Sequence, residues 1–157
     1  MVIGSEGDIT NSQFNNVKSR LRLENLVSYE GKKYGMEKHL AFLDADIFAF
    51  PTYYNNECFP LVLLEAMCYS LPIISTFEGG IKDMVDEGIT GFLIKQKDEQ
   101  ALAYSLEELL TNQGLRMELG NAGRKKYEAE FTLENFSRNF EEILITIISK
   151  NNHISEQ

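Results

Sequence analysis

Two short apolar runs separated by one helix-length segment constrain this chain more than any other feature. Ala45-Asp-Ile-Phe-Ala-Phe-Pro51 and Leu71-Pro-Ile-Ile-Ser-Thr76 each read as a buried strand, and Pro60-Leu-Val-Leu-Leu-Glu-Ala-Met-Cys68 between them reads as a helix. Strand, helix and strand in that order predict a βαβ unit with parallel strands and a right-handed crossover. Glu57 and Glu65 bracket the start of the helix, eight positions apart. Both therefore fall near the crevice outside the carboxyl ends of the strands, where open α/β sheets bind ligands.

The alternation continues on either side. Met1 to Gly4 reads as the end of a buried strand running into the loop Gly4-Ser-Glu-Gly-Asp8, which implies that earlier strands precede it. A helix is predicted from Thr10 to Leu21 with Phe14, Val17 and Leu21 on one face, then a strand Leu26-Val-Ser-Tyr-Glu-Gly31. A short helix follows from Met36 to Leu43, with Met36, Leu40 and Leu43 inward. After Thr76 the pair Gly79-Gly80 breaks the chain, Ile81 to Asp86 forms a short helix, and Gly91-Phe-Leu-Ile94 is a final strand.

From Asp98 onward the pattern is wholly helical. Asp98 caps a helix with Ala101, Leu102, Leu106, Leu109 and Leu110 on its buried side, and a second helix runs from Leu115 to Glu130. A third starts at Thr132 and carries an apolar stripe of Leu133, Phe136, Phe140, Ile143, Leu144 and Ile147 that must cover something large. The fold class is thus α/β, a Rossmann-like parallel sheet with helices on both faces followed by C-terminal helices. Residues 1–150 form one domain and residues 151–157 a polar tail.

At 157 residues the chain is long enough for one well-packed domain and short for two. A net charge of -9 argues against a nucleic-acid surface, which needs clustered Lys and Arg, but not against a nucleotide held by local backbone N–H groups. Cys58 and Cys68 form neither a CxxC motif nor a disulfide framework. The N-terminus lacks a basic-then-apolar leader, and no apolar run approaches the ~18 residues that span a bilayer. These features point to a cytoplasmic, reduced setting. His39 has no Ser or Asp arranged around it, and Arg124-Lys-Lys126 reads as a solvated helix face.

Pro60 suits the start of a helix, because its missing N–H costs nothing there and its φ is already helical. The N–H groups of Leu61 and Val62 then point into the crevice without intrahelical partners, and the helix dipole makes them a site for a phosphate or sugar oxygen. Glu57, in the preceding loop, can accept hydrogen bonds from sugar hydroxyls. Glu65 lies within an apolar helix, where a carboxylate needs partners, and vicinal ribose hydroxyls would supply them bidentately. The plainer alternative keeps Glu57 as a solvated loop residue and pairs Glu65 with a lysine. Gly79-Gly80 reads equally as a phosphate nest or as a plain turn. No His/Cys/Asp cluster has metal-ligand spacing.

Taken in order, Ile3-Gly4, Val27-Ser-Tyr-Glu-Gly31, Glu57-x7-Glu65 with Ala66-Met67, Leu71-Pro-Ile-Ile74, Gly79-Gly80-Ile81 and Gly88-Ile-Thr-Gly91-Phe-Leu93 resemble the retaining glycosyltransferases of family four, within the group 1 glycosyltransferases. The resemblance runs from Met1 to about Phe131 and is to the nucleotide-binding C-terminal half of the two-domain GT-B fold. It implies a nucleoside-diphosphate sugar as donor, hexosyl transfer with retention, and no metal cofactor. It also implies roles by position: Glu57, as the catalytic carboxylate, contacts the donor hexose near the anomeric centre, and Glu65 holds the ribose hydroxyls. Phe59, Leu61 and Val62 present backbone N–H groups to sugar and diphosphate, and Gly31 with Lys32 borders the base.

Several positions depart from the family pattern. Cys58 and Ser70 stand where glycines are usual, and Lys82-Asp83 where proline and glutamate are common. The family's phosphate-binding Arg and Lys, and its N-terminal acceptor domain, would precede Met1. The implied partners are a nucleotide sugar, that acceptor domain and a lipid, polysaccharide or small acceptor. A lipid acceptor would place the enzyme peripherally at the inner face of the membrane. The alternatives are a nucleotide-binding module of a split enzyme and an inactive remnant.

Overall fold

A computed structural model describes the backbone of residues 1–7 and 9–154 and the side chains of these as far as residue 149. The chain divides into two compact units, Met1–Asp44 and a larger one from Ala45 onward.

In the first unit, α1 (Asn11–Arg20) starts on a capping box in which the Thr10 hydroxyl accepts from the Gln13 N–H, while the Gln13 side chain accepts from the Thr10 N–H at 2.8 Å. The strands predicted at Met1–Gly4 and Leu26–Gly31 reduce to one isolated parallel bridge, Val2 with Tyr29. The Val2 N–H donates to the Ser28 carbonyl (2.7 Å) and the Glu30 N–H donates to the Val2 carbonyl (2.9 Å). Met1, Val2 and Ile3 are exposed rather than buried, since among the described residues this bridge is the only β-pairing they have. The Asp8 end of the predicted loop lies outside the described residues.

α2 (Gly35–Leu43) forms as predicted, but its orientation differs. Phe42 is the buried residue, with Lys38 and Ala41 half-buried on the same side, whereas Met36, Leu40 and Leu43 are exposed. A nine-residue helix with apolar side chains around much of its girth does not encode which face turns inward. Val17 and Leu21 of the first helix are likewise exposed, and only Phe14 is half-buried, packed at 5.8 Å against the Tyr29 ring.

The second unit is built on a three-stranded parallel sheet of β1 (Phe48–Phe50), β2 (Ile73–Thr76) and β3 (Gly91–Ile94), in that order. α3 (Leu61–Cys68) connects β1 to β2 and α4 (Ile81–Met84) connects β2 to β3. Two right-handed crossovers stepping the same way lie on one face of the sheet. Leu63, Ala66 and Met67 of α3 and Ile81 and Met84 of α4 are fully buried. Ile74, pointing oppositely to Ile73, packs in a cluster with Ile94, Leu109 and Leu119, the last two from α5 (Glu99–Thr111) and α6 (Gln113–Lys126). All four residues of β2 are therefore buried, as in a sheet covered on both faces.

α5 begins on Asp98, whose carboxylate accepts from the Ala101 N–H at 2.9 Å, as its sequence predicts. Leu109 is its buried leucine, while Leu110, predicted inward, is exposed one position round the helix. The helix predicted to run to Glu130 stops at Lys126 and passes into a π-helical turn, Tyr127–Phe131. α7 (Leu133–Ile154) follows and continues through the first residues of the predicted polar tail, while residues 155–157 lie outside those described. Its apolar stripe is exposed along its length instead of covering a large surface.

α6 packs onto the corner between α3 and β2 through small residues. A Cβ at Gly120 would overlap the Ser70 carbonyl oxygen. The same corner is closed by Arg124, whose guanidinium donates to the Cys68 carbonyl. Ser70, which ends α3, is held at φ +56°, in the left-handed region that disfavours side chains by about 1 kcal/mol. Two outcomes follow for chemical denaturation. Ser70→Gly raises unfolding free energy by about 0.5–1 kcal/mol despite the looser unfolded chain. Gly120→Ala lowers it by about 2 kcal/mol or more, because the clash is with backbone.

Candidate functional site

The main-chain pairing of β1 with β2 ends at Phe50 opposite Ser75, and two buried hydroxyls carry it further. Ser75 Oγ donates to the Phe50 carbonyl at 2.8 Å and Thr76 Oγ1 to the Thr52 carbonyl at 2.6 Å. They anchor the start of the loop that leaves β1 and reaches α3 at Pro60. Inside it the Tyr54 N–H donates to Thr52 Oγ1 (3.2 Å) and the Glu57 N–H to the Tyr54 carbonyl (2.9 Å). From the end of β3, the Lys97 ammonium lies 5.0 Å from the Tyr53 ring centre, a cation–π contact between loops.

The far end of the loop is fixed by Gly79-Gly80. The Gly80 N–H donates to the Cys58 carbonyl at 2.8 Å. Gly79 sits at φ +49°, and a Cβ there would fall on the Glu57 carbonyl oxygen, while one at Gly80 would come within 2.7 Å of the Cys58 oxygen. The glycine pair is thus the surface against which the Glu57 segment packs. Glu57 itself is half-buried.

α3 starts on Pro60, which takes the N-cap position rather than the first helical one (ψ 101°). The first bond back into the loop is from Leu63 N–H to the Pro60 carbonyl (2.9 Å), so the N–H groups of Leu61 and Val62 precede it without intrahelical acceptors. The helix divides its faces cleanly. Leu63, Ala66 and Met67 are buried, and Leu61, Leu64, Glu65 and Cys68 form the other stripe. That stripe lines a cleft of about 730 Å³ completed by Phe59, the π-helical turn and the first three turns of α7, with Phe131, Phe136 and Phe140 prominent. Phe59 and Phe131 meet edge-on at 6.1 Å.

Glu65 is half-buried at this cleft, not sealed in an apolar interior as its flanking leucine and alanine imply. Beside it, the Tyr127 hydroxyl is hydrogen-bonded to Cys68, and this bond with partial burial raises its pKa above the usual value for tyrosine. Of the residues predicted for the site, Phe59, Leu61 and Glu65 share the cleft, and Val62 is half-buried beside them on α3. Glu57 stands in the adjoining loop rather than among the cleft residues. Gly31 (φ +66°), whose carbonyl accepts from the Gly4 N–H at 2.9 Å, and the exposed Lys32 belong to the first unit. Among the described residues, no three His, Cys, Asp or Glu side chains converge to hold a metal ion.

Sequence reasoning missed the hydroxyls of Ser75 and Thr76. The available signal is two hydroxyl residues ending a strand whose other residues are apolar, since a buried hydroxyl requires an acceptor.

The family model described as glycosyl transferases group 1 matches residues 2–126. The chain is 37% identical over 87 residues to the capsular polysaccharide biosynthesis glycosyltransferase CapM of Staphylococcus aureus, covering 55% of this chain and 22% of CapM. It is 34% identical over 127 residues to the amylovoran biosynthesis glycosyltransferase AmsK of Erwinia amylovora, covering 78% of this chain and 31% of AmsK. The chain thus spans under a third of the length of these curated relatives. Among solved structures, Anabaena Alr3699/HepE in complex with UDP matches with a TM-score of 0.81 at 20% identity, over 92% of this chain and 40% of that one. The complex of the same protein with UDP-glucose gives 0.78 over the same shares. The parallel sheet and its crossovers are those of GT-B glycosyltransferases. With most of its length matched by the family model, the chain belongs to the group 1 glycosyltransferases.

Proposed function

We propose that this chain is the donor-binding half of a retaining, metal-independent hexosyltransferase of family four. Glu65 holds the ribose hydroxyls of a nucleoside-diphosphate sugar, and Glu57 contacts the hexose near its anomeric centre. The N–H groups of Phe59, Leu61 and Val62, at the positive end of the α3 dipole, meet the sugar and diphosphate and stabilise the charge that grows on the diphosphate as the glycosidic bond breaks. The observation that carries this reading is the single connection from β1 to β2, which fixes Glu57 in a loop clamped at both ends, frees two N–H groups and presents Glu65 on the cleft-lining face of the helix.

Several features support the chemistry. With a net charge of -9 the chain has no general attraction for an anion, so diphosphate affinity comes from local dipoles. The fold is shared with Alr3699/HepE, whose structure holds UDP-glucose. CapM and AmsK act in the biosynthesis of capsular polysaccharide and amylovoran, which favours a polysaccharide or its lipid-linked precursor as acceptor. No helix among the described residues is long and apolar enough to cross a membrane. The proposed reaction takes place in the cytoplasm, at the inner face of the membrane for a lipid-linked acceptor. Acceptor binding belongs to an N-terminal domain. Turnover needs the cleft to close between the two domains, so this chain binds donor and transfers little.

The test is calorimetric titration of the chain with UDP and with GDP, with and without Mg²⁺. One nucleotide binds with the same affinity in both conditions, and Glu65→Ala weakens it roughly 10- to 100-fold, the value of hydrogen bonds to a charged group. Unchanged affinity in Glu65→Ala contradicts the ribose assignment, and binding only with Mg²⁺ contradicts metal independence.

A further inference from the structure

The hydroxyl of Thr76 is fully buried at the end of β2, and it donates to the Thr52 carbonyl, a group with no role assigned at the donor. Its bond to the Thr52 carbonyl is the first link of a relay. Thr76 Oγ1 holds Thr52, Thr52 Oγ1 accepts from the Tyr54 N–H, and the Tyr54 carbonyl accepts from the Glu57 N–H, at 2.6, 3.2 and 2.9 Å. The relay ends on the backbone of Glu57, whose carbonyl side is fixed independently by the Gly79-Gly80 packing. None of these three bonds involves Glu65, which stands on α3.

We infer that Thr76 is a positioning residue for Glu57. It sets how the hexose is gripped without touching it and leaves the ribose grip of Glu65 alone. The inference rests on the donor-binding reading above. Its signature is selective. Loss of the hydroxyl relaxes one of the two supports of the Glu57 loop, so the extra affinity of a nucleotide sugar over the bare nucleotide falls, while affinity for the nucleotide stays. A hydroxyl that served only the fold would lower both together.

The experiment compares UDP with UDP-glucose, and GDP with GDP-mannose, by titration of the chain and its Thr76→Val, Thr76→Ser, Thr52→Ala and Glu57→Gln variants. Thr76→Val keeps shape and burial and removes the donor. The half-buried Thr52→Ala breaks the next link outside the core and serves if the valine variant fails to fold. The expected result is about a fivefold loss of the sugar-dependent increment in both, the scale of one hydrogen bond, with nucleotide affinity unchanged and recovery in Thr76→Ser. A preserved increment in Thr76→Val and Thr52→Ala overturns the inference, as does a parallel loss for nucleotide and nucleotide sugar. If Glu57→Gln leaves the increment intact, or neither nucleotide binds the unaltered chain, the underlying donor reading fails, and the inference with it.

Discussion

The second unit depends on the burial of β2. It is the middle strand of three, so both edges are paired, and helices cover both its faces, so its four side chains are withdrawn from water. Full pairing is what makes that burial possible, since an unbonded N–H or carbonyl there would cost several times a typical net hydrogen bond. The demand passes to its neighbours. Gly91 has no side chain because a Cβ would overlap the Ile73 carbonyl oxygen. α6 approaches through Gly120 for the same reason, against Ser70. Each close approach excludes water from the strand and ties the helices to it.

The functional geometry grows from the carboxyl end of the same strand. Where main-chain pairing stops, the hydroxyls of Ser75 and Thr76 take over and hold the outgoing β1 loop, and three residues after Thr76 the glycine pair begins that supports the loop from its far side. A ten-residue connection carrying a carboxylate is thereby given a defined course without any regular structure of its own. α3 then turns the chain so that one face feeds the core and the other, with Glu65, faces a cleft.

Much of this was legible in the residues, and the part that was not has a common cause. The three strands of the sheet, the start of α3 at Pro60 and the Asp98 cap are local signals carried by runs of apolar side chains or by one capping group. The spacing of Glu57 and Glu65 was equally local, and it led to the loop and helix where both stand. The expected strands at Met1–Gly4 and Leu26–Gly31 needed pairing partners to become more than one bridge. The inward faces of α2 and α5 were misplaced at Met36, Leu40, Leu43 and Leu110 because apolar residues border both sides of these stripes. The Thr76 bond joins residues 24 positions apart, and the role of Gly79 follows from a carbonyl 22 positions earlier, so neither leaves a local pattern.

The measurement that bears most directly on this account is a crystal structure of the chain with the nucleotide that binds it in titration. The account predicts both ribose hydroxyls within about 3 Å of the Glu65 carboxylate, with the diphosphate against the N–H groups of Leu61 and Val62. A nucleotide seated elsewhere, or one whose ribose makes no contact with Glu65, would contradict it.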